Sequence, residues 1–332
     1  MEKDDTKYLH AAARVHSLEN QLISQQDLLK AIEASDAEDA FKSLAGKEMF
    51  RDVSHGDYEA AFEADLVRTY QLLENITEQS EVTYVFRYPA DGHNLKVYAK
   101  ARLAQGEFDH LYKRTGTFTP EQMEAELSAK RFEKVPQILG EAALEAMERL
   151  AKTKDSQIVD IIIDKAVLAL MKEKAVELDN PLLIEYVEAK IDLINIETAV
   201  RLIRMKKDAY EVRRIFAEGG TIDPADIDEG YSAGYEGISR LLDKAGKKRR
   251  MEKSVPALRH GEPLNVYEQN LDGCFKDLFD KAKVIPFGLE PVIAFLYLKE
   301  REIRAARLVL VSKVFGLPKE LIVERLRYIY AD

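Results

Sequence analysis

The chain has 332 residues, of which 46% are apolar and 33% charged, and its formal net charge is -10. This acidic balance argues against broad nucleic-acid binding, because that function needs an excess of Lys and Arg to neutralise phosphates. The one cysteine, Cys274, cannot form an internal disulfide, so we expect a reducing, cytosolic setting.

The first ten residues, MEKDDTKYLH, contain no apolar core of a signal peptide. The apolar stretch at 291–298 is the longest in the C-terminal region, and charged residues begin at Lys299. A membrane-spanning helix needs about 20 mostly apolar residues. We therefore expect a soluble chain that contacts a membrane only through partner proteins.

Amphipathic helical patterns follow one another along most of the chain. They cover residues 8–32, 58–76, 140–151, 157–178, 181–217, 225–245, 264–284, 291–315 and 318–330. Several begin at a proline, which suits the first helical position because its missing N–H would have no partner there. Thr119, Asn180 and Asp223 precede three of these prolines as N-caps, and Thr119 with Gln122 fits a capping box.

Only residues 82–88, Val-Thr-Tyr-Val-Phe-Arg-Tyr, have the composition of a strand, and one isolated strand does not make a sheet. The predicted fold class is therefore all-α. Three triplets, Asn94-Leu95-Lys96, Asn195-Ile196-Glu197 and Glu302-Ile303-Arg304, open the second halves of long helical segments at spacings of 101 and 107 residues. These spacings are consistent with three units of about a hundred residues each.

Motifs for catalysis or metal binding are scarce. The six histidines are scattered, none lies in an HExxH motif, and we expect neither a metal nor a cofactor. The glycines at 230, 234 and 237 are not spaced as a dinucleotide fingerprint, and we interpret them as packing or loop glycines. Asp160 and Asp164 stand one helical turn apart, which leaves an all-α metal-dependent enzyme as one alternative.

One basic run, DKAGKKRRMEK at 243–253, stands out in this acidic chain. Lys247, Lys248, Arg249 and Arg250 are a candidate docking surface for an acidic partner or for lipid headgroups, although such a run is more often solvated. The alternative is a solvated loop between helices.

The helix predicted at 291–315 carries charges in its middle. Lys299, Glu300, Arg304 and Arg307 form this belt, and Glu300 with Arg304 has the favourable i,i+4 spacing. A charged belt on a core helix is either catalytic or a set of ion pairs that fix neighbouring helices. We favour structural ion pairs and expect no catalytic residue in the chain.

The C-terminal stretch PFGLEPVIAFLYLKEREIRAARLVLVSKVFGLPKELIVERLRYIY resembles the C subunits of archaeal and bacterial V-type (A-type) ATPases, the relatives of the eukaryotic V-ATPase d subunits. The N-terminal stretch ARVHSLENQLIS resembles the opening helix of the same family. The matching residues are Gly288, Glu290-Pro291, Lys299-Glu300, Glu302-Ile303, Arg307, Lys313, Gly316-Leu317-Pro318 and Glu324-Arg325-Leu326. Phe295 and Ser312 depart from this pattern, where we expect Tyr and Gly.

The resemblance implies a funnel-shaped protein of three similar helical lobes, which we place at residues 1–110, 111–217 and 218–332. It also implies a non-catalytic central-stalk subunit at the cytoplasmic face of the membrane. Such a subunit couples the D–F shaft of the ATPase head to the proteolipid rotor ring, for transport of H⁺ or Na⁺ or for ATP synthesis. A helical adaptor or scaffold with unrelated partners is the alternative.

Overall fold

The computed structural model describes residues 7–51, 57–102, 108–208, 214–247, 251, 265–282 and 285–330. Regular secondary structure in these residues is helical throughout, and no strand occurs among them. The predicted all-α class is therefore confirmed. Within the described ranges, no helix combines the length and the apolar character needed to cross a membrane.

Fourteen α-helices make up the described part of the chain. They are α1 (Leu9–Glu19), α2 (Gln25–Glu33), α3 (Ala37–Leu44), α4 (Tyr58–Thr77), α5 (Tyr84–Ala101), α6 (Pro120–Ala129), α7 (Gln137–Thr153), α8 (Gln157–Glu177), α9 (Pro181–Arg204), α10 (Pro224–Ser232), α11 (Gly234–Lys244), α12 (Asn265–Ala282), α13 (Glu290–Val314) and α14 (Lys319–Tyr330). Short 3-10 turns lie at Glu48–Phe50, Ser80–Thr83 and Asp109–Leu111.

These helices fall into two compact units. Unit 1 combines Met1–Thr83 with Pro263–Asp332 and contains α1–α4 and α12–α14. Unit 2 is Tyr84–Glu262 and contains α5–α11. The first and last parts of the sequence thus share one unit.

Unit 1 is built around α13, most of whose residues are buried. Ile303, Ala306 and Leu310 of α13 belong to a core that also contains side chains of α2, α3, α4 and α14. Three phenylalanines, at 41, 50 and 62, add edge-to-face contacts with ring centres 5.3 and 5.9 Å apart. Burial of this apolar surface is the main source of stability for such a unit.

Unit 2 depends on close approach between helices. A Cβ on Gly92 of α5 would lie 2.5 Å from Val167 Cγ2 of α8, so only glycine allows this spacing. Gly230 of α10 and Gly237 of α11 meet so closely that a Cβ on Gly237 would lie 1.8 Å from the Gly230 carbonyl oxygen. This confirms the interpretation of these two residues as packing glycines.

Predicted helix starts agree with the structure at three caps. Thr119 accepts from the Gln122 backbone N–H, and Gln122 accepts in return from the Thr119 N–H, which completes the capping box. Asn180 and Asp223 cap α9 and α10 through their side chains.

Four predicted segments need correction. Residues 82–88 form the end of a 3-10 turn and the start of α5 instead of a strand, because their β-branched and aromatic side chains fill a helical core. The pattern at 8–32 is two helices, since the Ser24 capping box starts α2. In the segment predicted at 181–217, the helix ends at Arg204. The segment predicted at 225–245 forms two helices, because the chain turns at Gly234, where φ is +63°.

Candidate functional site

Lys299 lies in the middle of α13 and is only 7% exposed. Its Nζ is 2.6 Å from Asp65 Oδ2 of α4 and 2.7 Å from Glu302 Oε2, one turn along α13. Glu302 Oε1 accepts a 2.6 Å hydrogen bond from the backbone N–H of Ile23. Lys299, Asp65 and Glu302, which we call the buried charge cluster, therefore join α13 to α4 and to the segment that precedes α2.

The two charged residues of α13 in this cluster shift each other's pKa. Burial raises the pKa of Glu302, and the ammonium of Lys299 limits the rise. Burial alone lowers the pKa of Lys299, but the carboxylates of Glu302 and Asp65 outweigh it, so the net shift is upward. Lys299 is therefore held protonated between two carboxyl groups. Such a buried pair fixes geometry, because loss of either partner leaves the other charge uncompensated.

The other charges of the belt lie nearer the surface. Arg307 Nε and Nη2 each donate to an oxygen of Glu59 at 2.8 Å, and its guanidinium lies 5.2 Å from the ring centre of Phe62. Exposed pairs of this kind contribute only about 0–1 kcal/mol. Glu300 is half-buried and Arg304 is exposed, and their mutual i,i+4 pairing stays a prediction.

The basic run is described only at its start. Lys247 is half-buried, and its backbone N–H bonds to the carbonyl of Leu242 just past the end of α11. Lys248, Arg249 and Arg250 lie outside the described residues. Their role as a docking surface stays a prediction.

The two aspartates weighed as metal ligands face lysines across the α5–α8 contact. Asp160 Oδ1 is 2.6 Å from Lys100 Nζ, and Asp164 Oδ1 is 2.5 Å from Lys96 Nζ. An ammonium beside each carboxylate opposes the binding of a cation there. Within the described ranges, no three His, Cys, Asp or Glu side chains cluster in a way that could hold a metal ion.

A second buried aspartate, Asp91 of α5, holds the loop before α6. Its Oδ1 accepts the Thr117 backbone N–H at 2.8 Å, and its Oδ2 accepts the Thr117 hydroxyl at 2.7 Å. One turn along α5, the Asn94 side chain accepts from the N–H of Lys113 and donates to its carbonyl, both at 2.8 Å. A Cβ on Gly116 would lie 2.2 Å from Asp91 Oδ1, so only glycine fits beside the carboxylate.

The same arrangement recurs on α9. Asp192 accepts the backbone N–H and hydroxyl of Thr221 at 3.0 and 2.5 Å and the N–H of Ile222 at 3.1 Å. Asn195 pairs with both backbone groups of Ala217, at 2.8 and 3.0 Å. A Cβ on Gly220 would lie 2.1 Å from Asp192 Oδ1. The loop then leads to the N-cap of α10, as the loop held by Asp91 leads to the N-cap of α6.

Glu302 provides a third case with different side chains. It accepts the Ile23 N–H one residue before Ser24, the N-cap of α2. Lys299 and Glu302 have the spacing of Asp91 with Asn94 and of Asp192 with Asn195. We call these three arrangements the loop anchors. In each one, at least one polar side chain on a long core helix binds the backbone that leads to a capped helix: Asp91 and Asn94, Asp192 and Asn195, and Glu302.

The carboxylate of Asp91 differs from an ordinary aspartate. Burial raises its pKa to about 7, although the Thr117 donors and the charge of Arg87 favour the ionised form. Arg87 itself donates from Nε to the carbonyls of Thr115 and Gly116 at 3.3 and 3.1 Å. The anchor on α5 is therefore sensitive to pH near neutrality.

Several of these residues were missed in the sequence. Asp65 lies between Phe62 and Thr69 on the buried face of α4. A charged residue at this position in the helical pattern could have indicated a buried ion pair. The Gly-Thr dipeptides at 116–117 and 220–221, each two residues before an N-cap, were another. The triplets that begin at Asn94, Asn195 and Glu302 did mark one residue of each loop anchor.

Comparison with known proteins gives a consistent result. The family model described as ATP synthase (C/AC39) subunit matches residues 11–325. The V-type sodium ATPase C subunit of Enterococcus hirae is 24% identical over 323 residues, which cover 95% of this chain and 97% of that protein. The A-type ATP synthase C subunit of Thermococcus kodakarensis is 24% identical over 96% of this chain and 90% of that protein. The A-type ATP synthase C subunit of Haloferax volcanii is 27% identical over 42% of this chain and 40% of that protein.

Proposed function

The chain belongs to the ATP synthase (C/AC39) subunit family, and from this premise we propose that it is a non-catalytic central-stalk subunit of a rotary ATPase or ATP synthase. It receives the D–F shaft of the soluble head and rests on the membrane rotor ring. Torque from ATP hydrolysis passes through it to the ring, and torque from ion flow passes back during synthesis.

The observation that carries this proposal is the recurrence of the loop anchor on α5, α9 and α13. Three similar joints along one chain support three similar lobes. With lobes at 1–110, 111–217 and 218–332, Asp91 of the first lobe holds Thr117 of the second, and Asp192 of the second holds Thr221 of the third. Glu302 of the third then holds Ile23 of the first. Each proposed lobe therefore supplies the side chain of one anchor and the loop of another.

A torque-transmitting part must resist deformation, and the loop anchors supply that property. Buried side chains replace water as the partners of loop N–H and C=O groups, so moving a loop would leave those groups unsatisfied. Close-packed helices around the anchors have low compressibility. Rigid joints of this kind suit a coupling subunit whose function resides in broad surfaces.

The proposed partners determine what those surfaces must do. A part with three lobes cannot match a ring of many identical subunits contact for contact, so we expect a polar and adaptable base. Contact with the membrane, at its cytoplasmic face, would come through the ring.

Co-purification tests the proposal. A tagged chain, expressed with its own D and F subunits and ring subunit, should retain both the D–F pair and the detergent-solubilised ring. Circular dichroism should first establish that the tagged chain is helical. A folded chain that retains neither partner would overturn the proposed coupling function.

A further inference from the structure

The three most exposed large apolar side chains in the described part of the chain lie at the ends of two helices that carry loop anchors. Phe315, the C-cap of α13, is 76% exposed, and Val314 before it is 58% exposed. Met205, the C-cap of α9, is 60% exposed. Single exposed apolar residues are ordinary on a protein surface. Here the largest exposures coincide with the ends of two related helices.

These two helix ends have the same backbone structure. Met205 and Phe315 are each followed by a residue in the left-handed region, Lys206 at φ +53° and Gly316 at φ +64°. In both, the first N–H after the cap residue bonds to a carbonyl three residues back, and the next N–H to a carbonyl five residues back. We call residues 205–207 the α9 tip and residues 313–315 the α13 tip. The third anchor helix, α5, ends at Ala101, and residues 103–107 lie outside the described residues.

Each tip also carries positive charge beside its apolar side chains. Lys206 and Lys207 are exposed, and neither has an ion pair with another residue that the structure describes. The Nζ of Lys313 donates to the backbone carbonyl of Ala34 at 2.6 Å, and within the described ranges it forms no ion pair with a carboxylate. A complementary surface therefore combines an apolar pocket with carboxylate or carbonyl oxygens at its edge.

We propose that the α9 tip and the α13 tip dock on the membrane rotor ring, each on a different one of its identical subunits. The recurrence of the tip selects this partner. Two like tips need two like pockets, and a ring of identical subunits presents the same pocket many times. The D–F pair would have to form that pocket twice from two different subunits. The inference rests on the proposed function, because it takes the ring from the same complex.

Small contacts of this kind suit a joint between partners of different symmetry. A tip is only a few side chains wide, so it can bind whichever ring subunit faces it while the polar surface around it adapts. Met205 and the lysines are unbranched and flexible, and Phe315 adds an aromatic side chain of the kind enriched at interface cores. Both tips end helices that hold loop anchors, so a force applied at a tip passes directly into a rigid joint.

Substitution of the exposed apolar residues tests the tips without changing the core. Met205→Ser and Phe315→Ser are made in the full-length chain, alone and combined. Val176→Ser is the matched control, because Val176 is 52% exposed near the end of α8, which carries no loop anchor. Thermal unfolding establishes that each variant is folded, and Met205→Gln or Phe315→Gln replaces a serine variant that is not.

Binding of each protein is titrated by biolayer interferometry against three separate surfaces. These are the ring in lipid nanodiscs, empty nanodiscs of the same lipids, and the purified D–F pair. We expect each single variant to bind the ring at least about fivefold more weakly than the wild type, and the combined variant at least about 25-fold, because separate contacts add in free energy. Val176→Ser should bind normally, and no variant should differ from the wild type toward the D–F pair or empty nanodiscs.

The opposite results are equally specific. A loss below about fivefold at the ring for either single variant overturns the assignment of the tips. An equal loss toward the D–F pair or toward empty nanodiscs overturns it too, because the tips would then contact the shaft or the lipid. A folded wild-type chain that does not bind the ring overturns the proposed coupling function as well, so the two failures are distinguished.

Discussion

Lys299 of α13 and Asp65 of α4 form a buried ion pair, with 2.6 Å between Nζ and Oδ2 and side-chain exposures of 8% and 5%. The two residues come from opposite ends of the sequence and meet inside unit 1. Asp65 belongs to the N-terminal segment of unit 1 and Lys299 to its C-terminal segment. The ion pair therefore links the two segments of the sequence that make up this unit.

Loss of Asp65 should destabilise unit 1. Asp65→Ala leaves Lys299 buried with only Glu302 as its counter-charge, and breaking a buried pair typically costs about 3–5 kcal/mol. Glu59→Ala, which removes the exposed partner of Arg307, should change the free energy of unfolding by less than about 1 kcal/mol. Urea unfolding followed by circular dichroism measures both. Equal losses in the free energy of unfolding for the two substitutions would show that the buried charge cluster contributes no more to stability than an exposed ion pair.

The loop anchor on α5 should not tolerate a side chain at Gly116. In Gly116→Ala the new Cβ would collide with the carboxylate of Asp91, which is fully buried and could move only by giving up its hydrogen bonds to Thr117. We expect a loss of roughly 1–3 kcal/mol in the free energy of unfolding. Gly46→Ala is the control, because a Cβ there meets nothing within 4 Å. A Gly116→Ala protein as stable as the Gly46→Ala protein would contradict the close approach.

Asp91 should give the stability of the chain a characteristic pH dependence. Its pKa is 3.8 in the unfolded reference and about 7 in the folded chain, so the folded chain holds its proton more tightly. The free energy of unfolding should therefore fall as pH rises from about 4 to 7 and level off above, by up to about 1.4 kcal/mol per pH unit.

The substitution Asp91→Asn should flatten this dependence, because the titrating carboxyl group is gone. Unfolding midpoints at several pH values between 4.5 and 8 measure the difference between the wild type and the variant. Glu302 also has a raised pKa and contributes to the pH dependence of both proteins. The difference between the wild-type and Asp91→Asn curves therefore reports on Asp91 alone. Asp160→Asn, at an ion pair on the surface of α8, controls for loss of a carboxylate. Parallel curves for wild type and Asp91→Asn would refute the prediction.

The basic run should contribute to assembly in a salt-dependent manner. Replacing Lys247, Lys248, Arg249 and Arg250 together by Ser removes four positive charges from an acidic chain. We expect weaker co-purification of partners, and the difference from wild type should narrow above about 0.5 M salt as screening increases. Unchanged assembly at low salt would identify the run as a solvated loop.

Helix starts were predictable from sequence wherever a local signal determines them. Thr119, Asn180 and Asp223 cap their helices because a side-chain oxygen needs only the backbone two or three residues ahead. The strand predicted at 82–88 was wrong for the opposite reason. Val85, Phe86 and Tyr88 reflect burial among helices of unit 2, and a short apolar run does not distinguish a buried strand from a buried helix.

The charged residues of α13 show where sequence reasoning reaches its limit. Their position in the middle of a core helix could be predicted from the apolar residues around them. The partner of Lys299 could not, because Asp65 becomes its neighbour only when α4 packs against α13. The triplet containing Glu302 could be recognised in the sequence. The hydrogen bond between Glu302 and Ile23 could not, because the two residues are distant in the chain and meet only in the folded unit.

The division of unit 1 between both parts of the sequence has a consequence for biosynthesis. Helices α1–α4 leave the ribosome long before α13, whose burial completes their core, since the whole of Tyr84–Glu262 is translated in between. At about 5–20 residues per second, this interval lasts roughly 10–40 s. During that time the apolar side chains of α2–α4 lack the residues of α13 that bury them in the complete unit. Nascent chains at this stage are therefore the expected clients of ribosome-associated chaperones.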